Sequence, residues 1–411
     1  MKLKSLTEVV RLKFIFILLF MVVFQPIYGY EDTSMEPPED DSWPQFNHNV
    51  EHQGLSLSSA PQTNQTAWVV EGLNAQAGSS VVIADGKVFV NCVNNLTCLN
   101  QFTGDVLWKT PFDQNADVCC SWFSPAYHQN KVFLSGMKTV CLNAEDGQEI
   151  WTFDPPSGRG AVDGSPAIVD NRVLVSDWDG HHYYCLNEST GKELWNFSVT
   201  GNAQSTPAVF KDKAVFGSWE WGLGGVIYCV DLDDGSEMWN LTTKNSPCGS
   251  ASILNDVIYM TTYNFDGDGD LFALSLQDGS ILWRKTIQRT DSAPTLANEK
   301  VYVCGGCDGF SDLQTSCFDA LSGDLIWSTD PEDRIGDWRC SMAYADGLVF
   351  SGKADFTDFG GICALNATNG EVVWSYPEGG SSPAIANGMV FTTGKGNVYA
   401  FGNVNFAVEE E

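Results

Sequence analysis

The sequence predicts an all-β fold: an eight-bladed β-propeller of four-stranded blades, its ring closed by an N-terminal strand. The first observation is a repeat. A Gly followed four residues later by Trp recurs at Trp108, Trp151, Trp195, Trp239, Trp283, Trp327 and Trp374, with spacings of 43, 44, 44, 44, 44 and 47 residues. Upstream of each Trp lies a short apolar segment such as CLNAEDGQEIW (141–151), preceded by a strand–turn–strand pattern such as SPAIVDNRVLV (165–175). Four short strands in a 40–45-residue period are the pattern of a propeller blade. The second observation concerns the ends. An eighth unit begins at SSPAIANGMVF (381–391), reaches NVYAFG (397–402) and stops without its Trp strand. The missing strand is available at TAWVVEG (66–72), where Trp68 stands forty residues before Trp108. Closing the ring this way leaves no open sheet edge between the first and last blades. The third is composition: 43% apolar and 12% aromatic residues can bury a core, which excludes a disordered chain.

The flanking segments read in chain order. Lys2, Lys4, Arg11 and Lys13 precede the apolar run Phe14 to Phe24, which suits the core of a signal peptide and is short for a membrane span. Residues 1–29 are therefore a predicted signal peptide, with an uncleaved signal anchor as the membrane-bound alternative. Residues 30–42 are an acidic linker, 43–402 the propeller and 403–411 an acidic tail. The chain has 22 Lys and Arg against 52 Asp and Glu, a net charge of −30. Loss of four bases and one acid with the leader gives −33. So few bases argue against nucleic acid, which needs basic patches. Six N-x-Ser/Thr sequons, at Asn64, Asn95, Asn187, Asn196, Asn240 and Asn366, fit a secreted or cell-surface glycoprotein.

The fullest repeat, ALNATNGEVVW at 364–374, carries the pattern Ala-x-Asp/Asn-x-x-x-Gly-x-x-x-Trp. On this pattern the chain resembles the pyrroloquinoline-quinone-like (PQQ-like) propeller repeat family over about residues 43 to 402. The opening WPQFNHNVEHQGLS (43–56) also resembles the lead-in of exported members. The resemblance implies that the seven repeat Trps are structural, stacking between blades and docking on the Gly turn. It implies no single function, because the family includes quinone enzymes, an outer-membrane assembly lipoprotein and uncharacterised surface proteins.

The thirteen cysteines form two populations. Cys98, Cys141, Cys185, Cys229 and Cys317 occupy the repeat's Ala position and read as buried core thiols. The others include the disulfide candidates Cys119, Cys120, Cys304 and Cys307. Adjacent Cys119 and Cys120 match a pair that quinone-dependent alcohol dehydrogenases carry beside their cofactor. The surrounding ADVCCSWFSPAY lacks the Arg-Gly that follows in those enzymes. Cys304-Gly-Gly-Cys307 has redox or metal spacing, and an exported chain favours disulfides.

One face of the predicted ring carries monotonous short turns; the other carries loops of unequal length, raised in blades four to seven. Trp122, Trp219, Trp221 and Trp338 fall in those loops, as do Arg159, Arg289, Arg334 and Arg339. The position two before the innermost strand places Gly78, Trp122, Asp163, Gln204, Cys248, Asp291, Arg339 and Gly380 around the central channel. Such a mixed lining suits a small ligand, and scarce bases gathered on one face suit an anion. In blade five, Asn264, Asp266, Asp268 and Asp270 alternate like the first half of a calcium loop, although Ser275 stands where a twelfth-position Glu would be. No G-x-S-x-G, H-E-x-x-H or phosphate loop occurs. The expected function is non-catalytic binding or scaffolding, with a protein, glycan or small anionic ligand on the loop face of blades four to seven. The alternatives are a quinone- and calcium-dependent dehydrogenase, for which the sequence leaves no substrate-covering insertion, and an envelope assembly factor, for which a lipid-anchor Cys is missing.

Overall fold

The computed structural model describes residues 41–114, 122–220, 224–355 and 358–403. The leader, most of the linker and the acidic tail lie outside them. Residues 37–411 form one compact unit. The described residues are almost wholly β, and their one helical element is the 3-10 turn Pro331–Asp333. The strands build antiparallel four-stranded sheets in chain order, as in Ala167–Val169, Arg172–Asp177, His182–Asn187 and Glu193–Ser198. The strand Thr66–Ala75 pairs with Gly396–Phe401 and, through Ala75 and Cys92, with Lys87–Cys92. That joins the last strands of the chain to the first sheet.

Local chemistry explains each sheet. The second and third strands are buried almost throughout, whereas the fourth exposes alternate residues. This is the pattern of inner strands covered on both faces and an outer strand at the rim. Two-residue turns join the first two strands, and pairs such as Asp170–Asn171 and Asn255–Asp256 take positive φ at both positions. Asn and Asp tolerate that conformation, which matches the twist of the hairpin. At the next turn an Asn or Asp side chain caps the backbone: Asn187 Oδ1 accepts from the Ser189 and Thr190 amides at 3.2 and 3.0 Å.

Neighbouring sheets are fastened by the repeat tryptophans. Trp195 donates its ring N–H to the Leu232 carbonyl of the next sheet at 3.0 Å. Trp108, Trp151, Trp239, Trp283 and Trp327 make the same bond to Ala144, Glu188, Leu276, Ala320 and Ala367, at 2.8 to 3.1 Å. Trp374 reaches the Pro61 carbonyl, and Trp68 reaches Gln101. Each ring also needs a small residue opposite it in the adjacent strand. Cys98, Cys141, Cys185, Cys229 and Cys317 are the register partners of Trp108, Trp151, Trp195, Trp239 and Trp327, and Ala400 is the partner of Trp68. All five thiols are fully buried, and burial pushes them up to about 12, so they behave as small apolar groups.

The lead-in, residues 43–58, makes the inner edges of the sheets one unit. It visits the innermost strands in chain order. Trp43 exchanges both backbone hydrogen bonds with Ile83. The carbonyls of Pro44, Val50, Glu51, Gln53 and Gly54 accept from the amides of Tyr127, Val209, Ile253, Leu296 and Tyr344 at 2.6 to 2.8 Å. Gln45 Oε1 takes the Ile168 amide, and Ser58 Oγ takes that of Gly388 in the last hairpin turn. Amides that would face the axis unpaired are thereby satisfied. His52 is fully buried and hydrogen-bonds the Ala251 carbonyl; burial lowers its pKa to about 4, so it is neutral at pH 7.

The Trp–Gly dock predicts a coupled pair. Gly235 has φ +73°, and a Cβ there would meet the Trp195 ring at 2.7 Å. Gly235→Ala is expected to lose about 1–2 kcal/mol from the left-handed backbone and about 1–3 kcal/mol more from overpacking. In a Trp195→Ala background only the backbone part remains. Urea unfolding of the double-mutant cycle reads the difference, and equal costs in both backgrounds would contradict the dock.

Candidate functional site

The channel wall is set by a belt of hydroxyls. Ser124 Oγ accepts from the Ser80 amide, Ser165 Oγ from Ser124, Thr206 Oγ1 from Ser165 and Ser250 Oγ from Thr206, all at 2.8 to 2.9 Å. Ser341 and Ser382 continue the belt by accepting from the Ala293 and Ser341 amides. These bonds fix the residues two positions upstream. Gly78, Trp122, Asp163, Gln204, Cys248, Asp291 and Arg339 line one narrow cavity of ≈ 40 Å³, with Phe46 of the lead-in. Gly380, placed there by the sequence pattern, packs instead against Gly361 and Gly352.

The floor of this cavity is acidic. Asp163 Oδ2 accepts from Gln204 Nε2 at 3.0 Å, and its Oδ1 has no hydrogen-bond partner. Burial pushes the Asp163 carboxyl up to about 7, against hydrogen bonds from the Trp122 amide and Gln204. Asp291 also has a buried oxygen without a partner, and burial followed by the charge of Asp163 raises it well above the usual carboxylate range. Cys248 lies between them and is driven up by burial and then by Asp291. Two facing carboxyls in little water favour the protonated form of each.

A continuous series of aromatic contacts reaches this cavity at Trp122. Ring centroids are 5.2 Å apart for Trp178 and Trp219, 6.1 Å for Trp219 and Phe265, and 4.9 Å for Phe265 and Tyr263. Tyr263 and Trp338 follow at 5.3 Å, then Trp338 and Trp122 at 4.8 Å. Trp122 in turn rests on Gly78, where a Cβ would come within 2.8 Å of its ring. These rings come from several sheets, and Trp178, Trp219, Tyr263 and Trp338 cluster with Cys248 of the cavity lining. Trp219 is buried, Trp122 and Trp338 are half-buried, and Phe265 is exposed. Trp221 lies outside the described residues.

The arginines expected to attract an anion have partners within the protein. Arg339 forms a two-point pair with Asp337 at 2.9 Å on both sides and also donates to the Asp358 carbonyl. Arg289 donates to the carbonyls of Asn264 and Phe265 and lies over the rings of Tyr263 and Phe310. Arg334 pairs with Asp308 at 2.7 Å, and Arg159 with Asp179 at 3.2 Å. The bases thus brace the raised loops.

The alternating acidic loop does not gather its oxygens. Asp270 is turned into the sheet, where Arg284 grips both carboxylate oxygens at 2.8 and 2.9 Å and Asn245 adds a third bond. Asn264 Oδ1 accepts from the Asp266 amide in a local turn. Among the described residues no group of three or more His, Cys, Asp or Glu could hold a metal. Of the four residues expected to hold calcium, Asn264, Asp266, Asp268 and Asp270, the strand pairing brings Arg284 to Asp270. Cys304 and Cys307 are not bonded to each other, with Cys304 fully buried and Cys307 half-buried. Cys119 and Cys120 lie outside the described residues.

Sequence reasoning missed Tyr263, Phe265 and Phe310. Their signal was present, since Tyr263 and Phe265 flank Asn264, but the acidic alternation after them drew the reading toward a metal. It also missed the hydroxyl belt, although a Ser or Thr recurs near the start of most inner strands.

This fold and channel define a propeller-like all-β protein. A family model described as outer membrane protein assembly factor BamB matches residues 136–316 and 310–405. The chain belongs to that PQQ-like family. No curated protein matches it. Among solved structures, a quinohemoprotein alcohol dehydrogenase from Pseudomonas putida HK5 aligns with a TM-score of 0.69 at 13% identity, over 88% of this chain and 80% of the other. BamB from Moraxella catarrhalis gives 0.63 at 13%, over 83% and 98%. The computationally designed Ika8 protein gives 0.64 at 14%, over 82% and 99%. An enzyme, a member of the assembly-factor family and a designed protein share this fold, so the fold alone does not carry the function. No helix among the described residues is long and apolar enough to cross a membrane.

The floor predicts a pH dependence. Asp163 titrates near 7 when folded and near 3.8 at its ordinary value. The folded state holds the proton more tightly, so stability is fully present below about pH 4 and is lost as pH rises through 7. Asp163→Asn is expected to stabilise the protein by about 4 kcal/mol at pH 8 and to be near neutral at pH 4. Thermal melts at both pH values test this; equal effects at the two would contradict it.

Proposed function

We propose that the chain is an exported binding protein, an eight-bladed propeller whose channel mouth holds a glycan or other small ring-bearing ligand. The eight-blade count is supported by eight tryptophans that each donate a ring N–H to a backbone carbonyl and by the register Trp68 to Ala400, which repeats the Trp-to-small-residue pairing of the other units. Closure is supported by the pairing of Thr66–Ala75 with Gly396–Phe401. Export to the surface or medium is supported by the basic and apolar start of the sequence and its sequons.

One observation carries the ligand reading: the aromatic series from Trp178 to Trp122 joins, at Trp122, the cavity lined by Asp163, Gln204 and Asp291. Flat apolar faces beside a few hydrogen-bonding groups recognise a ring with polar substituents. An anion is disfavoured, because the nearest base, Arg339, is committed to Asp337 while both channel acids carry oxygens without partners. The same chemistry fits pyrroloquinoline quinone poorly. That cofactor is a planar polycarboxylate, and here it would meet Asp163 and Asp291, with Trp122 already filling the space above Gly78.

A second reading, a protein partner as the family description suggests, is favoured by Phe310 and Phe265. They stand 70% and 49% exposed on raised loops beside Arg289. Exposed apolar groups of this kind mark interaction surfaces.

The test is a glycan array and a pull-down from native extract, each with wild type, Trp338→Ala and Phe310→Ala. Glycan binding is expected to fall at least tenfold in Trp338→Ala and to stay within twofold in Phe310→Ala. A partner lost only in Phe310→Ala would establish the second reading. Glycan binding that survives Trp338→Ala unchanged would remove the channel mouth as the site.

A further inference from the structure

The pairing of the non-repeat cysteines differs from what the spacing of Cys304 and Cys307 implies. Cys304 lies in the strand Lys300–Gly305, and Cys340 in the segment 335–341 that leads into Ala343–Ala345. Both are completely buried in one apolar cluster. Cys304 Sγ accepts from the Asp337 amide at 3.2 Å and stands 3.4 Å from Ser351 Oγ. Cys340 Sγ accepts from the amide of Gly352, the next residue, at 3.4 Å. The two thiols therefore converge on neighbouring residues, Ser351 and Gly352, of the strand Leu348–Ala354. Cys307 is held elsewhere, its amide bonded to Ser311 Oγ at 2.9 Å.

We propose that Cys304 and Cys340 form a disulfide that ties the strand Lys300–Gly305 to the segment carrying Trp338 and Arg339. One S–S bond forms and two S–H bonds break. Two electrons and two protons pass to a disulfide oxidant, such as oxidised glutathione or a thiol–disulfide oxidoreductase, which becomes two thiols. Burial raises the Cys304 thiol, but hydrogen bonds from Cys340, Ser351 and the Asp337 amide outweigh it and hold the group below its ordinary value. Because both sulfurs are inaccessible once packed, exchange belongs to folding, before Leu348–Ala354 covers them. The bond fixes the backbone of the channel mouth whether or not that mouth binds a glycan.

The test is refolding of the full chain in a buffer of oxidised and reduced glutathione. Remaining thiols are then blocked in denaturant, and the chain is digested with trypsin for mass spectrometry. The fragment 340–353 contains Cys340 as its one cysteine. The expected result is that fragment joined through Cys304 to 301–334. Cys304→Ser is expected to abolish the cross-link and leave Cys340 blocked as a free thiol. Cys307→Ser, which leaves the buried pair intact, keeps the cross-link and serves if the first variant does not fold. Cys340 recovered as a free thiol in the wild type, bound to zinc in the refolded protein, or joined to Cys307 or Cys317 would overturn the assignment.

Discussion

The structure depends on one repeated contact: a rim tryptophan laid over the glycine turn of the neighbouring sheet, made by Trp68, Trp108, Trp151, Trp195, Trp239, Trp283 and Trp327, with Trp374 docking on the Pro61 carbonyl instead. The contact is geometric before it is energetic. The ring must lie flat on a residue without a Cβ, its N–H must find a carbonyl, and the strand beside it must offer only Ala or Cys. Five of those small residues are cysteines, which explains a thiol content that could be mistaken for a disulfide framework. Loss of one such tryptophan removes about 3–5 kcal/mol of packing, a large part of the stability of any domain.

Two other networks turn stacked sheets into a positioned site. The lead-in satisfies the inner edges on the side of the short turns, and the hydroxyl belt fixes the strand starts that face the channel. With these set, the residues two positions before the belt have little freedom. Trp122, Asp163, Gln204 and Asp291 converge because the scaffold is regular, while the raised loops with Phe265 and Phe310 are free to vary. The arginines belong to the scaffold too. Each is spent on a carboxylate or a carbonyl, so the mouth is defined by rings and acids.

What the sequence made legible was whatever repeats. The Trp docks, the Asn and Asp turns and the ring of channel residues all follow from a 44-residue period. The route of the lead-in was not legible, because its carbonyls meet successive strands without any pattern of side chains. Nor were contacts made across strand pairs. Asp270 reads as a metal ligand until pairing brings Arg284 beside it. Cys304 reads as the partner of Cys307 until the fold sets Cys340, 36 residues away, against it. Asp337, only two residues before Arg339, grips it in a local turn and changes the expected charge of a ligand.

The central claim is that ligand meets the raised-loop face and not the face of short turns. Hydrogen exchange, measured with and without a glycan selected on the array, tests it most directly. The account predicts slowed exchange confined to residues 262–268, 306–313 and 335–341, with the short turns at 145–148 and 233–236 unchanged. Protection of those short turns, with the three loop segments unaffected, would contradict it.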